Sequence, residues 1–347
     1  MMKITSGIFG YTKNNEAVTR FILQDGDCQV AVLTLGGIIQ SVVVPDKEGN
    51  PTDVVLGFDH VEDYEKQTCY IGALLGRSAN RTVKGDIFLD EKLVTLTWNE
   101  NDICQLHGGY TGFDRKIWQG EETEEGLRLS CISEDGEEGY PGVLKAEVTY
   151  SLQDGALSLH YRASASETTL CNLSNHAYFN LGGHDSGSVG EQKLKIHAGY
   201  FTPVTETHAP DGRVVSLEGT PLDFRTSTAL ADRWDAEDEQ IALAAGYDHH
   251  YIIEGFGMRT FAQADCAKTG IHLEVKSDMP GMQLYTGNFL NDLPAGKGGA
   301  SYTPRTAFCM ETQFIPNAVN CPAFEAPVLK AGEVYDKTTI YQFSVKE

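Results

Sequence analysis

Positive charge is what this chain has least of: 27 Lys and Arg stand against 49 Asp and Glu in 347 residues, a formal net charge of −22. Nucleic acids and anionic membrane surfaces are read by clustered positive charge, so both are disfavoured as partners. Cysteine is sparse too. The eight thiols, at positions 28, 69, 104, 131, 171, 266, 309 and 321, show no C-x-x-C or other metal-ligand spacing, and most of them read as small buried hydrophobes. No long apolar run exists either. The most apolar window, residues 30–44, is broken by Thr34, Gly36, Gly37, Gln40 and Ser41 and is too short to span a bilayer. The first seven residues lack the basic start, apolar stretch and cleavage site of a secretion signal, so the expected location is the cytoplasm. The triplets Asn80-Arg81-Thr82 and Asn172-Leu173-Ser174 are then chance glycosylation matches.

Motifs for demanding chemistry are missing as well. Neither G-x-x-x-x-G-K-[ST] nor a strand-to-helix G-x-G-x-x-G occurs, which argues against nucleotide cofactors. H-E-x-x-H is absent, and adjacent His249 and His250 would point to opposite faces of a strand, so no metal is expected. G-x-S-x-G is absent too, so an α/β-hydrolase triad is unsupported. Helical periodicity is confined to residues 227–245, with one further turn at 61–66.

Strand signals are what the chain has in quantity. Alternating or β-branched runs at 30–35, 38–44, 127–132, 143–152, 157–163, 194–198, 271–276 and 339–345 are separated by Gly, Pro, Asn and Asp. Without regular strand–helix alternation, this pattern predicts an all-β fold, a large antiparallel β-sandwich with few short helices. The hydrophobic fraction of 41% supports a sizeable core. Length alone allows roughly two domains. No linker or repeat divides the chain, so 1–347 is expected to be a single domain. Residues 121–138 hold eight acids and one Arg, and 232–239 hold five acids and one Arg, supplying 7 + 4 = 11 of the 22 excess charges. Both runs read as solvated loops or helix faces.

Several polar residues stand in apolar surroundings. Within 170–181, alternation places Asn172, Ser174, His176, Tyr178 and Asn180 on one face, which either meets water or lines a cavity for a polar ligand. Glu311 lies between apolar neighbours, on a face with Ala307, Cys309 and Gln313, and carries either a structural hydrogen bond or a proton-transfer role. His107 sits before two glycines in a loop, where a solvated imidazole is the ordinary case. Arg81, after Asn80, is able to fork onto hydroxyls or a carboxylate, or to lie on the surface. Asp248 opens the strand-like run before His249, and also suits a turn leading into a strand. His160, His197 and His272 fall on the polar phase of amphipathic strands and are assigned no function.

Ten stretches in order carry a resemblance. They are Gly76-Arg77-Ser78-Ala79-Asn80-Arg81, Leu106-His107-Gly108-Gly109, Gly112-Phe113-Asp114, Glu138-Gly139-Tyr140-Pro141-Gly142 and Asn175-His176-Ala177-Tyr178-Phe179-Asn180-Leu181. Later come Thr202-Pro203-Val204, Gly219-Thr220-Pro221-Leu222-Asp223-Phe224-Arg225, Tyr247-Asp248-His249, Pro280-Gly281-Met282-Gln283-Leu284-Tyr285-Thr286-Gly287-Asn288 and Glu311-Thr312-Gln313. The chain resembles the aldose 1-epimerase (galactose mutarotase) family. That resemblance implies a galactose mutarotase-like supersandwich with an open cleft, no metal and no cofactor. The implied activity is interconversion of the α and β anomers of free sugars such as glucose and galactose. Glu311 is the implied general base and His176 the implied general acid. Arg81, His107, Asp248 and Gln283 match substrate-contacting positions, with Asn80 and Tyr178 beside them. His176 would need a negative neighbour, Glu311 or Asp248, to stay protonated at neutral pH. Phe314, Asn317 and His250 depart from the family's usual residues. The expected partner is a free monosaccharide, with the protein a monomer or homodimer. Competing readings are a non-catalytic carbohydrate-binding protein, which needs no acid–base pair, and a glycoside hydrolase using Asp248 and Glu311.

Overall fold

The computed structural model describes residues 2–346; Met1 and Glu347 lie outside it. Three antiparallel sheets make up most of it. The largest has nine strands, and its most regular part is the hairpin of Leu144–Gln153 and Ala156–Ala165. Both strands alternate buried and outward residues along their length. Asp154-Gly155 joins them with both residues at positive φ (49° and 76°), the backbone that a two-residue hairpin turn demands and that Asp-Gly supplies. The last strand, Val334–Val345, lies in the middle of this sheet, between Ala156–Ala165 and Ile271–Ser277.

The N-terminal sheet runs in sequence order: Lys3–Tyr11, Ala17–Asp25, Cys28–Leu33, Ile39–Pro45 and Pro51–Asp53. The third sheet, hereafter the site sheet, has the order Val215–Ser216, Ala198–Thr202, Asp248–Ile253, Gly281–Tyr285 and Cys309–Gln313. Phe21, Val32, Tyr150, Tyr161, Leu273, Tyr251, Met282 and Met310, drawn from all three sheets, share one buried cluster. The buried tyrosines also tie sheets together: Tyr150 donates to Gly37 O (2.7 Å) and Tyr341 to Met310 O (3.3 Å). An antiparallel sandwich with few short helices is therefore the observed architecture, as the alternating runs predict.

Two expectations need correction. The helix expected at 227–245 is broken into strand Thr228–Ala229, a 3-10 turn Leu230–Asp232 and a helix of only six residues, Glu239–Ala244. Five acids within 232–239 repel one another at helical spacing, and Asp238 instead caps a new start, accepting from the N–H groups of Gln240 and Ile241. Nor is 170–181 a continuous strand with one polar face; it holds only the two-residue strands Thr169–Leu170 and Ser174–Asn175 and isolated bridges at Asn172 and Phe179, and residues 169–181 are buried throughout. Its asparagines bond to main chain in place of a ladder. Asn175 donates to Gly72 O and Ala73 O, Asn180 to Thr306 O and Gly187 O, and Asn172 accepts from Phe314 N–H.

The acidic run 121–138 is solvent-facing at Glu121, Glu122, Glu124, Glu125, Glu134 and Asp135 but not at its end. Glu137 pairs with Lys116 (2.5 Å), and Glu138 takes bonds from Thr97 and Thr111. Nearby, Arg77 is buried and makes five bonds, to Ser133 Oγ and O, Glu134 O, Pro141 O and Thr169 Oγ1. It is a structural pin. Arg77→Met leaves those acceptors without donors and is expected to cost more than about 3 kcal/mol, read from the shift in chemical denaturation midpoint.

Candidate active site

The site sheet has a core face and a cavity face. Tyr251, Met282, Leu284 and Met310 point into the core, while Asp248, Gln283, Tyr285, Cys309 and Glu311 take the alternate positions on the other face. Register sets their neighbours. His250 stands opposite Gln283 and Gln283 opposite Glu311, while Asp248 stands opposite Tyr285 and Tyr285 opposite Cys309. Over this face the 170–181 segment is stitched to distant chain: His176 N–H donates to Ala73 O (2.9 Å), and Gly72 N–H to His176 O (3.0 Å). Tyr178 O accepts from Leu56 N–H, and Phe179 exchanges two bonds with Phe308.

Between these walls lies a cavity of about 330 Å³. Of the eight residues singled out from sequence, Asn80, Arg81, His107, His176, Tyr178, Asp248 and Glu311 line it, seven in all. Gln283 does not line it; buried beside Glu311, it donates to Asp248 Oδ1 (2.7 Å). His107 is buried at 5% exposure rather than solvated. Arg81 is no ordinary surface arginine: it forks onto Glu100 at 2.8 and 2.9 Å and lies 3.7 Å from Asp248. A larger open depression of about 580 Å³, lined by Glu16, Lys116, Lys145 and Glu147 among others, brings no imidazole–carboxylate pair together.

At the floor of the cavity His176 Nε2 is 3.7 Å from Glu311 Oε1, with the residues 5% and 1% exposed. The His176 ring is stacked between Tyr178 (centroids 4.8 Å apart) and Tyr70 (6.1 Å), each tilted by 21°. Its Nδ1 meets the Cys309 thiol at 3.4 Å. Burial keeps that thiol protonated far above the usual cysteine range. The His107 ring packs edge-on to His176 at 5.3 Å, and its Nδ1 accepts from Asn80 N–H (3.0 Å). That bond places the proton of neutral His107 on Nε2.

Burial shapes the charges. It lowers His107 well below, and His176 to about 3 against, the ordinary imidazole value. Burial, reinforced by Asp248, raises Glu311 well above the carboxylate range. Burial also raises Asp248, against the pull of Arg81. Burial opposes the charge of Arg81, yet Asp248 and Glu100 together hold it above its usual value. Desolvation thus favours the neutral form of each member of the His176–Glu311 pair. The negative neighbour that a protonated His176 would need is in place, with Glu311 Oε1 at 3.7 Å, while desolvation penalises both charges of so deeply buried a pair.

His107, His176 and Glu311 also bring candidate ligand atoms within 4.8 Å of one another. Their chemistry does not suit a cation. With Nδ1 engaged by a backbone donor, His107 presents an N–H to the cavity, a donor rather than a ligand.

A family model described as Aldose 1-epimerase matches residues 19–342. The chain belongs to the aldose 1-epimerase family. A galactose mutarotase from Bos taurus is 42% identical over 347 residues, covering 99% of this chain and all of that protein. Among solved structures, an aldose epimerase homologue from C. elegans superposes with a TM-score of 0.86 at 28% identity, covering 99% of this chain and 100% of that one. A galactose 1-epimerase from Lactobacillus acidophilus superposes with a TM-score of 0.87 at 26% identity, covering both chains completely. Membership of the aldose 1-epimerase family carries isomerase activity of the aldose-epimerase kind. In this chain the three departures from the family's usual residues lie off the cavity lining. Asn317 braces Val83 N–H and Pro210 O, Phe314 packs on the core, and His250 lies in the site sheet beside Gln283. Tyr70, Glu100 and Phe289 line the cavity without having been singled out from sequence. Glu100, between two asparagines in a polar run, carries no periodic signal, and its tie to Arg81 is visible only in three dimensions.

Proposed function

We propose that the protein interconverts the α and β anomers of free aldoses such as glucose and galactose, with residues 1–347 acting as one catalytic domain. The observation that carries this reading is the buried His176–Glu311 pair, 3.7 Å apart and facing a sugar-sized cavity. Opening a pyranose requires a base at the anomeric hydroxyl and an acid at the ring oxygen. Glu311 takes the anomeric proton while His176 Nε2–H protonates the ring oxygen, and the bond from that oxygen to the anomeric carbon breaks. The open-chain aldehyde turns about its first carbon–carbon bond and closes on the other face, with both proton transfers reversed. Protons balance over the cycle, and no electron or group carrier takes part. The remaining hydroxyls are held by Asn80, Arg81, His107, Tyr178 and Asp248, with Gln283 acting through Asp248.

The pair carries one proton throughout. Ring opening leaves Glu311 protonated and His176 neutral, the same arrangement that burial favours in the sugar-free cavity. Before opening, the hydroxyls and ring oxygen of the sugar hydrogen-bond the charged arrangement and offset its desolvation.

Adding a second proton to the pair requires pH near the depressed His176 value of about 3, and removing its only proton requires pH above the raised Glu311 value. Between those limits kcat/KM is expected to be flat, with no inflection at the ordinary imidazole value near about 6.5. Polarimetry across mildly acidic to neutral pH, corrected for spontaneous mutarotation, checks this. The function itself is tested by following the optical rotation of freshly dissolved α-glucose and α-galactose. Faster equilibration is the expected result, and no acceleration by folded protein would overturn the proposal. Release of reducing sugar from a disaccharide would favour a hydrolase instead.

A further inference from the structure

The cavity face of the site sheet carries more buried polar groups than ring opening uses. Directly opposed residues of an antiparallel pair share a face. Thr202 stands opposite His250, His250 opposite Gln283, and Gln283 opposite Glu311, forming one row across four strands. In the next row Gln313 stands opposite Gly281. All of these side chains are at most 2% exposed, and Thr202, His250 and Gln313 do not line the sugar cavity. Along this stripe Thr202 Oγ1, both ring nitrogens of His250, Gln283 Oε1, Glu311 Oε2 and both amide atoms of Gln313 have no protein hydrogen-bond partner.

Buried polar atoms are almost always paired, with protein or with ordered water, and such groups concentrated on one continuous surface share one cause. A Cβ at Gly281 would lie 2.2 Å from His250 Nε2, so the imidazole rests over that glycine, on the side toward Gln313. The stripe mixes donors and acceptors: an imidazole, a primary amide, a hydroxyl, an amide oxygen and a carboxyl oxygen. Water is the ligand that meets both kinds at once, whereas a cation finds too few acceptors and an anion meets Glu311.

We propose that Thr202, His250, Gln283 and Gln313 bind a cluster of buried water molecules that hydrogen-bonds Glu311 Oε2 from behind, making His250 and Gln313 positioning residues for the base. The role given to Glu311 here rests on the aldose 1-epimerase reading above. Water at Oε2 favours the ionised carboxylate, and so raises the share of the pair that has its proton on His176 and is ready to react. The titratable groups around Glu311 are His176, Asp248 and Arg81 at the cavity, Cys309 on its own strand, His250 along the row, and Tyr178 and Tyr341.

The test replaces polar by apolar groups of similar size, Gln313→Leu and His250→Phe, and measures kcat/KM for α-galactose against pH. Drying the stripe is expected to lower the plateau about tenfold and to move the alkaline limb up by about one pH unit, since both effects report a carboxylate that is harder to ionise. His250→Gln, which restores hydrogen-bonding capacity, is expected to return both toward wild type. A merely structural role would lower the plateau with the limb unmoved, and that result in folded variants overturns the proposal. Should the apolar variants not fold, a high-resolution crystal structure of the wild-type protein decides. Ordered waters about 3 Å from His250 and Gln313 support the cluster, and direct protein–protein pairing along a dry stripe overturns it. If wild-type protein fails to accelerate mutarotation, the role of Glu311 falls while the crystallographic result still decides the water cluster.

Discussion

Glu311→Gln is expected to lower kcat for α-galactose mutarotation by at least about 10³-fold while leaving KM within a few-fold of wild type. The amide has the same shape but takes no proton, so the anomeric hydroxyl meets a hydrogen-bonding group where it needs a base. KM is expected to be spared because Asn80, Arg81, His107 and Asp248, which line the same cavity, are untouched by the substitution. Folding is spared too: at 1% exposure and with Oε2 free of any protein partner, the carboxyl is already held against its ionised form. A neutral amide there should leave the thermal melting temperature at or above that of wild type. Polarimetry at saturating sugar, paired with a melting curve, checks both. A rate within tenfold of wild type would sink the assignment of the base.

The second large effect is at the acid. His176→Asn is expected to cost about 10²–10⁴-fold in kcat/KM, because the shorter amide withdraws the proton donor from the ring oxygen. This substitution also empties a stacked position. With the imidazole gone from between Tyr178 and Tyr70, 4.8 and 6.1 Å from their centroids, the aromatic wall loses its middle layer. Stability should therefore fall, in contrast to Glu311→Gln. Comparing kcat/KM with the melting temperature of each variant separates lost chemistry from lost packing. Activity near wild type in folded His176→Asn would remove His176 from the reaction.

How much of this was legible in the sequence depended on whether the signal was local. The strands Leu144–Gln153 and Ala156–Ala165 were legible as the runs 143–152 and 157–163 because alternation is a short-range signal. The buried carboxylate at Glu311 was visible as a charge among apolar neighbours, though its two roles could not be told apart from pattern alone. Residues 170–181 misled because alternation was read as a strand, whereas Asn172, Asn175 and Asn180 bond to main chain and leave His176 and Tyr178 to face the cavity. The helix expected at 227–245 failed where local charge repulsion and a new cap outweighed periodicity. Convergence of Arg81, His107, His176, Asp248 and Glu311 on one cavity came into the sequence reading only through the family resemblance. The partners that tune them, Glu100 on Arg81 and Cys309 on His176, meet only through the tertiary fold and carry no short-range mark.

The fork between Arg81 and Glu100 has a consequence for which sugars enter. Arg81 is the only lysine or arginine among the described residues lining the cavity, and two carboxylates, Glu100 and Asp248, already share its charge. A phosphate or carboxylate on an incoming hexose finds no unclaimed cation and meets surplus negative charge in a low-dielectric pocket. A hydroxyl does well there, donating to the same carboxylates. The ion pair is therefore expected to act as a filter, with phosphorylated and acidic sugars turned over far more slowly than neutral ones in the same polarimetric assay.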